Sequence, residues 1–415
     1  MPSRLYLDNA ATSFPKPPGV YEAMLRYGQE VGGTAGRGTY FEAREGARIM
    51  NQCRARLCEL FNGESPDHVV FTLNTTDALN LAIKGVVSAR RRAEPGRPVH
   101  LITTELDHNS VLRPFNALAG RGDAEWTCLP VDETTGVVDP EALRAALRAR
   151  PDTALVALTH ASNVTGAIQP VAALGAICRS AGTPFLVDAA QSLGHIPVDV
   201  RATSIDLLAF PGHKGLLGPL GTGGLYLRPG LEALVDPLRE GGTGSRSELD
   251  TQPDNLPDKY EPGSQNALGI AGLNEALAWH LTHAEETRLH ERALTEAMLN
   301  LLREIDAWGP TSGARGLRLL GPTDPAARIG VFSLACDALS PHELAAALEQ
   351  EYGIIGRAGL HCAPRAHESL GTTAAAGAYR LSIGPFVSLG DLRRVREALG
   401  EIARSEARRP TLSPA

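Results

Sequence analysis

The chain has 415 residues, of which 43% are hydrophobic and 21% are charged, a composition typical of a folded globular protein large enough for more than one lobe. Its formal net charge of −7 provides no positive field for a phosphate backbone, so nucleic acid is not expected as a partner. The sequence has no apolar run long enough to span a membrane and no signal-peptide pattern at its N-terminus, so we expect a cytoplasmic protein without membrane contacts.

Between residues 66 and 227, short apolar runs alternate with amphipathic or alanine-rich stretches. Strands are predicted at 69–72, 99–103, 154–158, 184–187, 207–210 and 224–227. This alternation is typical of βαβ units. We therefore predict an α/β fold with a mostly parallel central sheet and helices on both faces, in which ligands bind where the strands end.

The composition changes to Gly, Ser, Asp and Pro between residues 240 and 265, which predicts a long functional loop. Helical spacing over 289–305, a strand at 329–334 and helices at 341–352 and 391–404 predict a smaller α+β lobe. We expect a large domain over 1–265, a small domain over 266–405 and a flexible tail over 406–415. Residues up to about 15 are expected to pack with the small lobe.

The run from Asn74 to Ile83 follows a predicted strand and begins a predicted helix. The first amides of that helix, together with the hydroxyls of Thr75 and Thr76, would form an anion cradle, because a helix N-terminus has unpaired N–H groups and partial positive charge. An ordinary helix cap is the alternative.

Two later strands end in residues with complementary chemistry. The first ends in Asp188 and the second is followed by His213 and Lys214. A lysine amine can form a Schiff base with pyridoxal phosphate, and a carboxylate can pair with the pyridine nitrogen of that cofactor. This pair therefore predicts a pyridoxal phosphate site.

His108 and Asn163 follow two further strands. The imidazole of His108 could stack on the cofactor ring and transfer protons, because its usual pKa lies near neutrality. Asn163 could donate a hydrogen bond to the ring hydroxyl or to a substrate carboxylate. A solvated loop histidine and a turn-forming asparagine are the alternatives.

Cys362 lies in the run from Arg357 to Pro364, where Gly359 and Pro364 predict a loop. A cysteine thiolate beside a pyridoxal phosphate site suggests sulfur transfer, and it would need a nearby cation or a proton acceptor such as His361 or the cofactor. The alternative is a small buried hydrophobic residue, as expected for the other five cysteines. No metal site is expected, because His361, Cys362 and His367 lack a second ligand cluster.

Taken together, these motifs resemble the class V, fold-type-I pyridoxal phosphate enzymes of the cysteine desulfurase and selenocysteine lyase group. The resemblance covers nearly the whole chain, from the run Tyr6–Leu–Asp–Asn–Ala–Ala–Thr to Arg380. It implies that Cys362 takes sulfur from L-cysteine as a persulfide and that L-alanine is released. One position departs from the pattern, because Pro211 stands where the family often has a serine that contacts the phosphate.

The resemblance also assigns roles to individual residues. Lys214 would be the Schiff-base lysine, Asp188 the partner of the pyridine nitrogen, Gln191 a donor to the ring hydroxyl and His108 the stacking imidazole. The cofactor phosphate would be held by Thr75, Thr76 and His213, and by Ser264 of a second subunit in a homodimer. The substrate carboxylate would be held by Arg380, with Asn9, Arg37 and Asn163 as further substrate contacts.

Other activities stay open at this point. A class V aminotransferase, racemase, selenocysteine lyase or carbon–sulfur lyase would keep Lys214 and Asp188 without using Cys362. A non-catalytic scaffold could keep the fold for partner binding. A sulfur-acceptor protein is a further possible partner, and the sequence does not identify it.

Overall fold

The computed structural model describes residues 3–35, 38–305 and 316–407. The α-helices of this part are α1 (Val20–Arg26), α2 (Phe41–Leu60), α3 (Thr75–Ala93), α4 (Asn109–Gly120), α5 (Pro140–Ala149), α6 (Val171–Ala181), α7 (Ala267–Arg303), α8 (Pro341–Tyr352), α9 (Pro364–Ser369) and α10 (Leu389–Ala407). The strands are β1 (Leu5–Tyr6), β2 (Val69–Thr72), β3 (Val99–Thr104), β4 (Ala124–Leu129), β5 (Thr153–Thr159), β6 (Phe185–Asp188), β7 (Leu207–Pro211), β8 (Gly223–Leu227), β9 (Leu317–Leu319), β10 (Val331–Cys336), β11 (Ile354–Ile355), β12 (Arg357–Gly359) and β13 (Ala378–Ser382).

The larger sheet has seven strands in the order β2-β8-β7-β6-β5-β3-β4. Strands β4, β3, β5, β6 and β7 pair in parallel, whereas β8 is antiparallel to both of its neighbours. The C-terminal ends of β2, β3, β5, β6 and β7 therefore lie along one edge. This arrangement confirms the predicted α/β class.

Both faces of the larger sheet are covered, and strand β5 shows how. Its seven residues are all buried, because side chains alternate between the two faces of a strand and both faces carry helices. Leu155 and Ala157 lie in the core formed with α3 and α4. Val156 and Leu158 lie in the core on the opposite face, formed with α2, α5, α6 and the first part of α7.

The smaller lobe contains an antiparallel sheet in the order β12-β13-β10-β9, packed against α8 and α10. The N-terminal segment contacts this lobe, since β1 pairs in parallel with β11 and Leu5 and Leu7 lie in its core. In strand register, Arg357 of β12 lies directly opposite Arg380 of β13. This cross-strand pair brings two arginines to the same face of the sheet.

Several elements differ from the sequence-based expectation, among them α7 and β4. Helix α7 begins at Ala267 rather than at 289, capped by the Asn266 side chain, which accepts a hydrogen bond from the Gly269 amide at 3.0 Å. Strand β4 was missed because it lies at the edge of its sheet and has a partly exposed, mixed sequence. Within the described ranges, no helix is both long and apolar enough to cross a membrane.

Candidate active site

Most of the residues singled out from the sequence line one pocket at the C-terminal edge of the larger sheet. They reach it from the loops after β2, β3, β5, β6 and β7. The predicted residues in the pocket wall are Thr75, Thr76, His108, Asn163, Asp188, Gln191, His213 and Lys214. Asn74, Ser110, Thr159 and Ala190 complete it.

One side of the pocket is the N-terminus of α3. The side chain of Asn74 caps this helix by accepting a hydrogen bond from the amide of Asp77 at 3.0 Å. The hydroxyl of Thr76 lies 2.8 Å from that of Ser110. Hydroxyls and helix amides with a partial positive charge offer donors to an anion. Ser110 was missed because its hydroxyl reaches this cradle from a different helix, α4.

Asp188 and Lys214 carry opposite charges across the pocket. Asp188 is buried and its carboxylate accepts a hydrogen bond from the Ala190 amide at 2.9 Å. Burial raises the pKa of Asp188, and Lys214 opposes that shift. Burial lowers the pKa of Lys214 to about 8, and the Asp188 carboxylate acts against this effect. A substantial fraction of the Lys214 amine is therefore neutral near physiological pH.

The peptide that precedes Lys214 is held by the N-terminal segment. The carbonyl of His213 accepts hydrogen bonds from the Thr12 hydroxyl at 3.2 Å, the Ser13 hydroxyl at 3.0 Å and the Lys16 ammonium at 2.9 Å. The imidazole Nδ1 of His213 is buried without a hydrogen-bond partner in the described structure. This nitrogen is available to a ligand in the pocket. The sequence signal for these contacts was the Tyr6–Thr12 motif.

His108 caps helix α4. Its Nδ1 accepts a hydrogen bond from the Ser110 amide at 3.1 Å and lies 2.8 Å from the Ser110 hydroxyl. Because a backbone amide can only donate, the neutral ring carries its proton on Nε2. Burial, followed by the charge of Lys214, lowers the pKa of His108 to about 4, so the ring is neutral.

Asp107 was also missed by the sequence analysis. Its buried carboxylate accepts hydrogen bonds from the Thr104 amide at 2.8 Å and from the Thr159 amide at 2.7 Å. It therefore ties the end of β3 to the end of β5 and fixes the loop that carries His108. Burial raises the pKa of Asp107 to about 6.

Two expected ligand contacts are engaged within the protein. The Gln191 amide nitrogen donates to the Ala10 carbonyl at 2.8 Å. The Asn9 side chain donates to the Ser382 carbonyl at 3.1 Å and accepts from the Phe14 amide at 3.2 Å. An amide side chain has two N–H groups and two oxygen lone pairs, so Asn9 keeps one donor and one acceptor site beyond these bonds. The Asn9 bonds hold the N-terminal segment against β13.

Arg380 is 1% exposed and is the largest fully buried side chain of the described structure. Its guanidinium donates to the Asp8 carboxylate at 2.7 Å and to the Asn163 carbonyl at 3.1 Å, whereas its Nε has no hydrogen-bond partner among the described residues. A guanidinium has five N–H donors. Donors therefore remain for an anionic ligand. Asp8 was overlooked although it lies in the Tyr6–Thr12 motif.

Cys362 is exposed and lies at a turn with a positive φ of 58°. The guanidinium Nη2 of Arg357 lies 3.6 Å from the Cys362 sulfur, so a cation stands beside the thiol. The turn is tied to α4 and to the loop after β5, because the Asn109 amide donates to the Cys362 carbonyl at 2.8 Å and the Asn163 side chain donates to the His361 carbonyl at 2.6 Å.

His361 does not serve as the proton acceptor for Cys362. Its ring is buried and its two nitrogens contact the Arg357 carbonyl at 3.0 Å and His367 at 3.3 Å. The expectation of help from His361 was therefore wrong, because the ring turns into the small lobe. The cation that approaches the thiol is Arg357, whose position in the same motif was the available signal.

One further predicted residue lies away from this pocket. Ser264 lines a separate cavity together with Arg54 and Gln265 of the same chain. Arg37 and the predicted tail from residue 408 onward lie outside the described residues. Among the other cysteines, Cys53 and Cys178 are buried, and burial raises the pKa of each thiol to about 12.

The pocket has the chemistry that pyridoxal phosphate requires. Hydroxyl and amide donors suit a phosphate, a buried carboxylate suits a protonated ring nitrogen, and a partly neutral lysine amine suits a carbonyl carbon. The unpartnered Nδ1 of His213 gives one more polar atom that a ligand would satisfy.

Four buried histidines predict a pH-dependent stability. Burial lowers the pKa of His160, His280 and His367 to about 4 and that of His361 to about 3. In the unfolded chain histidine titrates near about 6.5, so the unfolded state binds more protons between these values. The free energy of unfolding therefore falls for each of these histidines as the pH drops below about 6.5. The raised pKa of Asp107 has the opposite effect on the free energy of unfolding.

We expect His280→Leu to reduce the slope of the unfolding free energy against pH by up to about 1.4 kcal/mol per pH unit, because one titrating group is removed. Urea denaturation of the wild type and the variant, at pH values from about 4 to about 6.5, measures both slopes. Identical slopes would contradict the lowered pKa of His280.

Comparison with known proteins gives consistent matches over nearly the full chain. Residues 5–395 match the model of the class-V aminotransferase family. A probable cysteine desulfurase of Methanothermobacter thermautotrophicus is 34% identical over 404 residues, covering 96% of this chain and 94% of the relative. A probable cysteine desulfurase of Aeropyrum pernix is also 34% identical, over 409 residues, with 96% and 94% covered.

Two solved structures also match this chain over nearly its full length. The apo structure of a cysteine desulfurase from Thermococcus onnurineus NA1 superposes with a TM-score of 0.86 at 28% identity, covering 97% of this chain and 95% of that one. The S-sulfonic acid form of the cysteine desulfurase CsdA from Escherichia coli gives a TM-score of 0.81 at 27% identity, with 96% and 94% covered.

Proposed function

Because the chain belongs to the class-V aminotransferase family, within its cysteine desulfurase group, we propose that it is a pyridoxal phosphate-dependent cysteine desulfurase. It moves the sulfur of L-cysteine to Cys362 and releases L-alanine. In balance, L-cysteine and the Cys362 thiol give L-alanine and a Cys362 persulfide. The carbon–sulfur bond of the substrate breaks and a sulfur–sulfur bond forms.

The observation that carries this proposal is the cross-strand pair of Arg357 and Arg380. Two guanidinium groups side by side repel each other unless anions lie between or beside them. Arg380 pairs with Asp8, and Arg357 approaches the sulfur of Cys362. Arg380 keeps N–H donors beyond Asp8 for a substrate carboxylate, and Arg357 stands beside the thiol, so the pair suits the carboxylate and the sulfur that desulfuration of an amino acid brings together.

The pocket residues would hold the cofactor. Lys214 would hold it covalently through its amine and Asp188 would pair with its ring nitrogen, while Thr75, Thr76 and His213 would donate to its phosphate. Pyridoxal phosphate, when bound, supplies an electron sink for negative charge that develops on the substrate. Pro211 provides no hydroxyl and no N–H, and Ser110 offers a hydroxyl beside Thr76 in its place.

Substrate binding falls to Arg380. Its remaining N–H donors would bind the α-carboxylate of cysteine, and Asp8 and the Asn163 carbonyl hold the guanidinium plane in position. Burial also excludes water from this contact, which strengthens it.

Lys214, rather than His108, would accept the proton that the substrate loses. The Nδ1 of His108 already accepts from Ser110 and its Nε2 already carries a proton, so the neutral ring is a donor and has no free acceptor nitrogen. The lowered pKa of Lys214, about 8, lets its amine take a proton near neutrality.

Cys362 would receive the sulfur. Its sulfur is exposed and lies in contact with the Arg357 guanidinium, so it is accessible and has a cation beside it. The same exposure would let an acceptor protein collect the sulfur. We further propose a homodimer in which Ser264 of the partner subunit reaches the phosphate, because within one chain Ser264 lies at a different cavity.

The proposed function is tested by incubating the purified protein and pyridoxal phosphate with L-cysteine and a thiol reductant. Alanine and sulfide should appear in equal amounts. Pyruvate and ammonia with the sulfide would instead indicate a carbon–sulfur lyase, and a requirement for a keto acid would indicate an aminotransferase.

We expect Arg380→Ala to raise the KM for L-cysteine roughly 30- to 150-fold with a smaller effect on kcat, because it removes charge-assisted hydrogen bonds worth about 2–3 kcal/mol. Steady-state kinetics measures this. Arg328→Ala is the matched control, since Arg328 is also buried but donates to the Pro322 and Val331 carbonyls, and it should leave KM near the wild-type value. An unchanged KM in Arg380→Ala would remove Arg380 from substrate binding.

A further inference from the structure

Behind the Cys362 turn lies a row of three buried polar side chains, His361, His367 and Thr372, which are 2%, 0% and 2% exposed. His361 Nε2 lies 3.0 Å from the Arg357 carbonyl, and its Nδ1 lies 3.3 Å from His367 Nε2. His367 Nδ1 lies 2.7 Å from the Thr372 hydroxyl. The desulfurase chemistry proposed above assigns no role to these groups.

The donor and the acceptor of every hydrogen bond in this row follow from the Arg357 carbonyl at one end of it. A carbonyl oxygen can only accept, so His361 carries a proton on Nε2 and, when neutral, accepts at Nδ1. His367 must then donate from Nε2 and accept at Nδ1. The Thr372 hydroxyl donates to that nitrogen, which is closer than the His367 carbonyl at 3.4 Å. That carbonyl already accepts from the Thr372 amide at 2.9 Å.

The hydrogen bonds keep this order of donors and acceptors only while both imidazole rings are neutral. Burial, followed by the charge of Arg380, lowers the pKa of His361 to about 3, and burial lowers the pKa of His367 to about 4. A proton added to His361 Nδ1 would face the N–H of His367. The neutral forms therefore dominate at physiological pH.

The row ends on a strained part of the chain. His361 and Cys362 have φ values of 49° and 58°, a left-handed conformation that costs free energy for residues with a Cβ and persists only where surrounding contacts hold it. The bond from His361 to the Arg357 carbonyl closes this turn back onto β12. The side chain of the same Arg357 contacts the Cys362 sulfur.

We propose that Thr372, His367 and His361 form a neutral hydrogen-bond relay that fixes Arg357 against the thiol of Cys362. The three are positioning residues, since they act through Arg357 and do not touch the substrate. This inference rests on the proposed function, because it deepens the role of Cys362 as sulfur acceptor. It explains how an exposed thiol keeps a cation beside it.

The test measures the alkylation rate of Cys362 by iodoacetamide at neutral pH, followed by mass spectrometry of its peptide. Thr372→Val removes only the hydroxyl, and the rate should fall about three- to tenfold, as expected when one buried hydrogen bond is lost and Arg357 is held less firmly beside the sulfur. Thr372→Ser should restore the wild-type rate. Thr295→Val is the matched control, because Thr295 is also buried and its hydroxyl donates to a backbone carbonyl, that of Glu291, at 2.7 Å.

A double-mutant cycle separates the relay from a general loss of stability. Arg357→Ala should itself slow alkylation, and adding Thr372→Val to Arg357→Ala should slow it no further, because the relay acts through Arg357. Equal slowing by Thr372→Val in both backgrounds, or none in either, would overturn the proposal.

Turnover gives an independent readout. With L-cysteine, Thr372→Val should lower kcat and leave KM unchanged, since Arg380 is untouched. If the wild type makes no alanine, the proposed function fails while the alkylation result still stands or falls by itself. Selective ¹⁵N-histidine NMR should show both rings as the neutral Nε2–H form, and a charged or Nδ1–H ring would contradict the relay directly.

Discussion

Lys214→Ala should abolish both turnover and the visible absorption of the bound cofactor. Lys214 lines the pocket opposite Asp188, and its pKa of about 8 makes its amine the nucleophile that the cofactor carbonyl requires. Spectra of the protein purified with pyridoxal phosphate and then dialysed, together with alanine release from L-cysteine, measure the two effects. After dialysis, pyridoxal phosphate should no longer be bound to the variant.

Lys16→Ala is the matched control for this loss. Burial lowers the pKa of Lys16 to about 8 as well, but its ammonium donates to the Ser13 hydroxyl at 2.7 Å and to the His213 carbonyl. The visible absorption should survive in Lys16→Ala. If it survives instead in Lys214→Ala and disappears in Lys16→Ala, the assignment of the cofactor lysine is wrong.

Cys362→Ala should lower kcat by a factor on the order of 10³ or more while L-cysteine still binds. The cause is the loss of the only atom to which we assign the transferred sulfur, whereas Arg380 and the pocket stay intact. A spectral titration with L-cysteine measures binding, and alanine release measures turnover. Binding and turnover should therefore separate in this variant.

Cys128→Ala provides the comparison for this result. Cys128 lies in β4 and is partly buried, and burial raises the pKa of its thiol to about 11, so it should not act as a nucleophile and its removal should leave kcat near the wild-type value. Wild-type turnover in Cys362→Ala would mean that Cys362 is structural and that the chain is a lyase or an aminotransferase.

The sequence predicted the fold class and the edge of the sheet at which the pocket lies. Strands such as β5 are buried on both faces and therefore appear as continuous apolar runs. The same logic fails for β4, because an edge strand with one partner tolerates Glu125 and Thr127. The start of α7 was missed as well, because most residues there are buried and the apolar residues show no clear helical period.

The pocket residues could be predicted because each one follows a strand whose direction the alternation of elements implies. Pairings between distant segments could not. The contact of Asp8 with Arg380 joins residues 372 positions apart, and that of Asn163 with the His361 carbonyl joins residues 198 positions apart. Only the folded chain determines which partner each side chain meets.

The most direct test of the account is mass spectrometry of the wild type after a single turnover with L-cysteine and without reductant. The account predicts one added sulfur on the peptide that contains Cys362, and none on the peptides of the other five cysteines. An unmodified Cys362 peptide together with full release of alanine would contradict it.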